Sequence, residues 1–281
     1  MIKQTKKIAN NNIDLKNLEN YHISIQLSLD GFSFCVYNRH SKEIQHFASY
    51  EFLKEYEISP YKHLELVEQL FLLEPVLKYK YSSVSVTHFN NLVSPVPKPL
   101  FNEEKLSNYL KYSIKVLEND FVTFDELNNC DIVNVYIPFV NINNFLFDTY
   151  GSFTYKHSSS VLIECLLNEF KHHSEPIYFV NVTNNTFETL ILKNKKVELY
   201  NIFSFKTKED FIYYILFIAE QLNLNPEEIK LILLGDIEKE SELYKIVYQY
   251  IRNVSFYKND TLNFVSEEIS SHHYYTLLNQ I

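Results

Sequence analysis

Apolar and polar residues alternate with period two from Ile23 to Phe52. Ile23, Ile25, Leu27 and Leu29 lead into the polar pair Asp30-Gly31, a second alternating run follows, and a charged tip over Asn38 to Glu43 opens a third run. A tight polar turn between such runs predicts a β-hairpin, so the stretch is expected to form a three-stranded meander. A weaker copy recurs from Ile177 to Phe205, turning first at Asn184-Asn185-Thr186 and then at Lys193 to Lys196. At an offset of about 155 positions, Leu27 falls on Val182, Asp30 on Asn185, Phe32 on Phe187 and Val36 on Ile191, a match carried by pattern. Two copies imply two similar domains.

Helical spacing takes over after each meander. Leu64, Val67 and Phe71 share one face between Pro60 and Pro75, and a strand alternating Val84 with Val86 follows. In LVSPVPKPLF the prolines at 95, 97 and 99 exclude a central strand and predict an extended crossing segment. The pattern then predicts a helix over NEEKLSNYLKYSIKVLE, capped by Asn102 and burying Leu106, Tyr109, Leu110 and Ser113. CDIVNVYIPF reads as a strand, NINNFLFDTYG as a helix from Asn141 to a left-handed stop at Gly151, and SFTYKH as another strand. A helix entered through Ser158 to Ser160 buries Val161, Leu162, Cys165, Leu166 and Phe170.

The second copy begins at Pro176, so KHHSEP marks the boundary between halves. Its helix, TKEDFIYYILFIAEQLNL, is capped by Thr207 and apolar over most of its circumference, which predicts an interior position. Asn225-Pro226-Glu227-Glu228 reads as a capped turn, IKLILLG as a buried parallel strand, EKESELYKIVYQYIR as a helix and EEISSHHYYTLLNQ as a last one. The domain expectation is a flexible segment over 1–20, a first domain over 21–175 with an α/β insertion at about 92–156, and a second domain over 176–281.

With 281 residues and 46% apolar content, the chain is long enough to bury two cores. The first twenty residues carry positive charge without an apolar run, so neither a signal peptide nor an anchor is expected, and FIYYILFIA is too short to span a bilayer. Three isolated cysteines, Cys35, Cys130 and Cys165, fit a reducing compartment, and the expected location is the cytoplasm. A net charge of -9 argues against nucleic acid as a partner.

LSLDGFSFCVYN, LFNEEKLSNYL, YKHSSSVLIECLL, EDFIYYILFIAEQL, LLGDI and HHYYTLLNQ together resemble an uncharacterised bacterial family known as a domain of unknown function. That resemblance, with the duplicated meander, implies the α/β actin-like (ribonuclease H-like) fold of actin, sugar kinases, chaperone ATPases and pilus assembly proteins. The wider fold family binds ATP and magnesium through two D-x-G hairpins. In this chain Ser28 stands at the first acid position with Asp30-Gly31 displaced by two residues, the second hairpin has Asn181 and no glycine, and LLGDI has only Gly235 where a glycine pair is usual. A non-catalytic binding or assembly protein with an unidentified protein partner, or a homo-oligomer, is therefore expected in place of an ATPase or kinase. No firm cofactor is expected. A ligand, if bound, is expected between the halves near Asp30, Gly31, Asn181, Asn184, Gly235 and Asp236, with Phe32 and Thr186 narrowing its approach.

The remaining chemistry points to structure. His172-His173 and His272-His273 are adjacent pairs whose side chains are expected to diverge, with no third ligand at a useful spacing, so no metal site is expected. His157 beside Ser158 to Ser160 resembles a nucleophile cluster, but the serines coincide with a helix start and no acid partner can be named. No catalytic residue is assigned.

Overall fold

The computed structural model describes residues 1–9, 13, 17–53, 59–111, 114–117, 119–258, 263–264, 270 and 272–280. The first meander forms as the pattern requires. Strand β1 (Ile2–Ala9) precedes β2 (Tyr21–Ser28), β3 (Gly31–Asn38) and β4 (Glu43–Phe52), with β2 and β3 joined through a two-residue turn in which Ser28 pairs with Gly31. Helix α1 (Pro60–Leu73) is capped by Ser59 and leads to β5 (Ser83–Phe89), which runs parallel to β2. Ile23, Ile25 and Leu27 point to one side of the sheet and are fully buried against Leu66, Val67, Leu70 and Phe71 of α1. Burial of such side chains stabilises the fold by about 1.5–3 kcal/mol each.

Within residues 1–20, expected to be a flexible segment, Ile2–Ala9 is a strand and Leu18–Asn20 a 3₁₀ turn. β1 pairs antiparallel with β4, and Lys7 Nζ lies 2.5 Å from Glu74 Oε1, a carboxylate that also accepts from Tyr50 Oη. Lysine-rich polarity disguised an edge strand, the position where lysine deters pairing with other chains. Residues 10–12 and 14–16 of that segment lie outside the described residues.

The insertion holds a separate sheet in the order β6-β8-β7, made from β6 (Val93–Pro97), β7 (Thr123–Glu126) and β8 (Ile132–Tyr136), with helix α2 (Leu106–Leu110) against it. β6, with its prolines, takes an edge. The long helix expected from Asn102 is instead a 3₁₀ turn (Glu103–Lys105) and the five residues of α2. Ile114 and Val116 both pack on this small core, a spacing of two that suits extended chain and not a helix; Ser113 lies outside the described residues. Helix α3 (Val140–Tyr150) then returns to α1 and stops at Gly151, φ 78°, but Phe139 and not Asn141 stands at its N-cap. β9 (Thr154–His157) completes the first sheet beside β5, and α4 (Ser158–Glu169) follows directly.

The second half repeats the plan with β10 (Ile177–Thr183), β11 (Thr186–Lys193), β12 (Lys196–Ser204), α5 (Lys208–Gln221), β13 (Lys230–Gly235), α6 (Glu242–Tyr250) and β14 (Asn253–Phe256). β13 is parallel to both β10 and β14. Thr207 and Asp210 form the capping box of α5. That helix is less enclosed than expected: Phe211, Ile215 and Ile218 are buried, while Tyr213 is 60% and Phe217 43% exposed. Asn225 to Glu228 closes a single turn in which Asn225 Oδ1 accepts from Glu227 N, without becoming a helix. A short β15 (Asn263–Phe264) pairs with β4, and of the expected last helix the described part is α7 (Tyr275–Leu278).

The halves exchange helices. Leu162, Ile163 and Leu166 of α4 pack on Ile177, Phe179, Leu190 and Ile232 of the second sheet. Leu277 and Leu278 of α7 pack on Cys35, Ile44 and Phe47 of the first. Five layers result: α1 with α3, the first sheet, α4 with α7, the second sheet, and α5 with α6.

Candidate functional site

Both hairpin turns open into one cleft between the sheets. At the first, Ser28 Oγ donates to Asp30 Oδ1 at 2.8 Å, and Gly31 lies so close to β4 that a Cβ there would stand 2.9 Å from the Tyr50 carbonyl oxygen. At the second, the hydroxyls of Thr183 and Thr186 lie 2.7 Å apart across the turn, and Asn184 Nδ2 donates to Asp30 Oδ2 at 3.0 Å. The tips therefore touch. Asp30, Gly31, Asn181, Asn184, Gly235 and Asp236 all line this cavity of about 220 Å³. Phe32 does not: its ring is buried towards Phe71 on the opposite face of the first sheet. Thr186 is occupied by its bond to Thr183.

The end of β13 is drawn tight against the second hairpin. Gly235 has φ 82°, and a Cβ there would come within 2.0 Å of the Val182 carbonyl oxygen, so only glycine fits. Its N–H donates to the His272 carbonyl at 2.8 Å, and Asp236 N–H donates to Val182 O at 2.7 Å. The amides that an anion would need at this corner already have partners. His273, Tyr274, Tyr275 and Thr276 complete the wall, with Thr276 Oγ1 donating to Gln26 Oε1 at 2.5 Å and Gln280 Nε2 to Thr87 Oγ1 at 2.7 Å. The sequence predicts a helix over this segment but not its place in the wall of the cleft, because that place is set by bonds to Gln26 and Thr87, far away along the chain.

Behind the cleft lies a buried polar chain. Asn181 Nδ2 donates to Glu188 Oε2 at 2.7 Å and Tyr200 Oη to Glu188 Oε1 at 2.7 Å. Burial pushes the Glu188 carboxyl up to about 7, against the lowering effect of these two donors. Further in, His157 Nδ1 lies 2.7 Å from Ser159 Oγ and accepts from Ser159 N, so His157 caps α4. An acid partner is present after all: Asp125 Oδ2 accepts from Ser160 Oγ at 2.6 Å and from His157 N at 2.8 Å. It does not meet the imidazole, whose Nε2 faces the Asn90 carbonyl, and His157 and Ser158 to Ser160 are fully buried. Burial holds His157 down to about 3. The arrangement is a neutral cap and not a nucleophile.

The histidine pairs part company. His172 and His173 are exposed. The rings of His272 and His273 lie together, centroids 4.1 Å apart and planes tilted by 37°, contrary to the expected divergence, and Glu238 joins them. Burial lowers both imidazoles, His273 to about 4 with His272 contributing.

No match to the chain was found among curated proteins. The profile of a family described as protein of unknown function (DUF3822) matches residues 10–254. A crystal structure from Bacteroides thetaiotaomicron, described as a protein with actin-like ATPase fold and unknown function, superposes with a TM-score of 0.76 at 24% identity over 89% of this chain and 95% of that one. The structure titled PilM-PilN type IV pilus biogenesis complex superposes with a TM-score of 0.59 at 11% identity, over 92% of this chain and 96% of that one. The architecture is thus the expected actin-like α/β fold, duplicated, with a small α/β insertion in the first half. No helix of the described residues is long and apolar enough to cross a membrane.

Proposed function

We propose that this chain, which belongs to the DUF3822 family of proteins of unknown function, is a non-catalytic binding or assembly protein that has kept the actin-like frame and lost its nucleotide chemistry. In this reading the two domains are 21–175 and 176–281, joined through the exchanged helices α4 and α7. The carrying observation is the state of the cleft. Its backbone donors at Gly235 and Asp236 are bonded within the chain, and its tips are tied by Asn184 and Asp30. Ser28 and Asn181 stand where the wider fold places acids. A cavity of 220 Å³ falls short of the about 300–1,000 Å³ of ordinary ligand pockets.

A groove of about 760 Å³ between the small sheet and β12 is better sized for a partner. It is bordered by Pro95, Pro97, Asp131, Lys195 and Glu198, and β12 is the edge of its sheet, where an extended segment of another protein can add main-chain hydrogen bonds. The PilM-PilN structure gives an instance of this frame held in a complex with a second protein. Calorimetric titration with Mg-ATP, together with a phosphate-release assay, tests the reading. The expected result is no saturable magnesium-dependent binding up to millimolar nucleotide. Saturable binding with turnover overturns it in favour of an ATP-binding enzyme.

A further inference from the structure

Three groups with metal-ligand chemistry converge at the rim of the cleft. One ligand atom from each of Glu238, His272 and His273 lies within 4.8 Å of the other two. His273 Nε2 and Glu238 Oε1 are 3.3 Å apart. Two ligands bound at about 2.0–2.1 Å to a tetrahedral zinc ion stand about 3.3–3.4 Å apart, so this pair is already at the edge length of such a site. Neighbouring histidines normally point to different sides. Here the turn that carries them ends at Tyr274, φ 53°, and that left-handed residue accompanies the close approach of the two rings, centroids 4.1 Å apart.

The supporting bonds follow the pattern of a metal centre. His272 Nε2 lies 3.0 Å from the Ile237 carbonyl and donates to it, which leaves the lone pair on Nδ1. A ligating histidine characteristically gives its other N–H to a backbone carbonyl, fixing tautomer and ring orientation. His272 is 6% exposed, and its own carbonyl is held by Gly235 N–H, so its partners come from the end of β13 and from the loop after it that carries Glu238. Glu238 itself is exposed and leaves a side open to solvent. The carboxylate of Asp236 faces His273 and adds negative charge, whereas Lys6 of β1 faces it with positive charge.

We propose that Glu238, His272 and His273 bind one divalent transition-metal ion of the zinc class, with the fourth position left to water or to a group from outside the chain. Two imidazoles and one carboxylate suit zinc or cobalt and do not suit magnesium, which takes oxygen ligands. The site is thereby chemically separate from any magnesium-nucleotide chemistry in the cleft. Its structural effect is to clamp the segment carrying α7, which covers the first sheet, to the loop after β13 in the second half.

The test uses the full chain, stripped with EDTA and dialysed, then titrated with ZnCl₂, CoCl₂ and MgCl₂. One equivalent of zinc is expected to bind with micromolar or tighter affinity. Cobalt is expected to produce the visible absorption of a four- or five-coordinate ion, and magnesium to have no effect. Glu238→Gln and His273→Asn are each expected to weaken zinc at least tenfold and to lose the cobalt spectrum. His172→Ala/His173→Ala is expected to bind as the parent chain does. Melting of each variant in EDTA checks folding, and Glu238→Gln, at an exposed residue, decides alone if His273→Asn is unfolded. Absence of stoichiometric zinc binding, or binding that survives Glu238→Gln undiminished, overturns the proposal.

Discussion

Asn184 Nδ2 donates to Asp30 Oδ2 over 3.0 Å and so joins two hairpin turns that are 154 positions apart in the chain. Asp30 also accepts from Ser28 within its own turn, which makes it the hub of the tip. Since Asn184 is exposed, the bond is worth little. Asn184→Ala is expected to cost about 0.5 kcal/mol and Asp30→Ala about 1 kcal/mol. Urea unfolding of both single variants and the double variant should give a coupling of about 0.5 kcal/mol. Strict additivity would mean that the tips do not hold each other in solution.

Gly235 and Gly151 share a positive φ but not a neighbourhood. A Cβ at Gly235 collides with the Val182 backbone, whereas nothing lies within 4 Å of one at Gly151. Gly151→Ala is expected to cost about 1 kcal/mol from backbone conformation alone, and Gly235→Ala about 3 kcal/mol or more. Thermal unfolding of the two variants ranks them directly. Equal losses would show that β13 relaxes away from β10 at no cost.

Glu188 gives stability an unusual pH dependence. Its folded value of about 7 lies above the ordinary 4.5, so between these limits the folded chain holds a proton that the unfolded chain has released. Stability attributable to this group therefore falls as pH rises from about 4.5 to 7, and is level outside that window. Glu188→Gln removes the titration. Relative to the parent, the variant should gain stability between pH 5 and pH 8 by an amount on the order of 3 kcal/mol at most, read from urea unfolding at each pH. Buried His88 and His157, both near 3, titrate with the opposite sign but do so in both chains and cancel. A pH-independent difference would place the Glu188 carboxylate in a wetter site.

Lys7 answers a buried carboxylate. Glu74 is 6% exposed at its side chain, and Lys7 Nζ sits 2.5 Å from it. Lys7→Met leaves that charge with Tyr50 and the flanking His46 alone. A loss of about 2 kcal/mol is expected, below the about 3–5 kcal/mol of fully buried pairs because Lys7 is one-third exposed. Lys7→Met/Glu74→Gln should recover part of it, as measured by chemical denaturation. A loss no larger than that of exposed Lys62→Met would show that the Lys7–Glu74 pair contributes no more than a surface ion pair.

Hydrophobic alternation made both meanders legible, a continuous apolar run made β13 legible and a capping residue made the start of α5 legible, because each signal is written in adjacent residues. What stayed hidden depends on partners far along the chain. Ile2 to Ala9 is too polar to read as a strand until β4 is placed beside it. The helix expected to run through Lys115 gave way where Ile114 and Val116 reach the small core together. At the cleft, Asp30, Asn184 and Gly235 were legible from turn chemistry, and the structure brings them to one cavity. Glu238 beside His272 and His273 was not, since the residues lie some 35 positions apart and are brought together by long-range bonds, from His272 to Ile237 and from Gly235 to His272.

The exchange of α4 and α7 has a consequence for biosynthesis. Strands β1 to β5 of the first sheet have left the ribosome once Phe89 has emerged, yet the side that carries Cys35, Ile44 and Phe47 is covered by Leu277 and Leu278, made roughly 190 residues later. At about 5–20 residues per second, that side waits about 10–40 s in the nascent chain. The second sheet faces no such delay, because α4 is translated just before β10. During translation the first half is therefore the vulnerable one, and a folding helper that recognises exposed aromatic surface would meet it before the second.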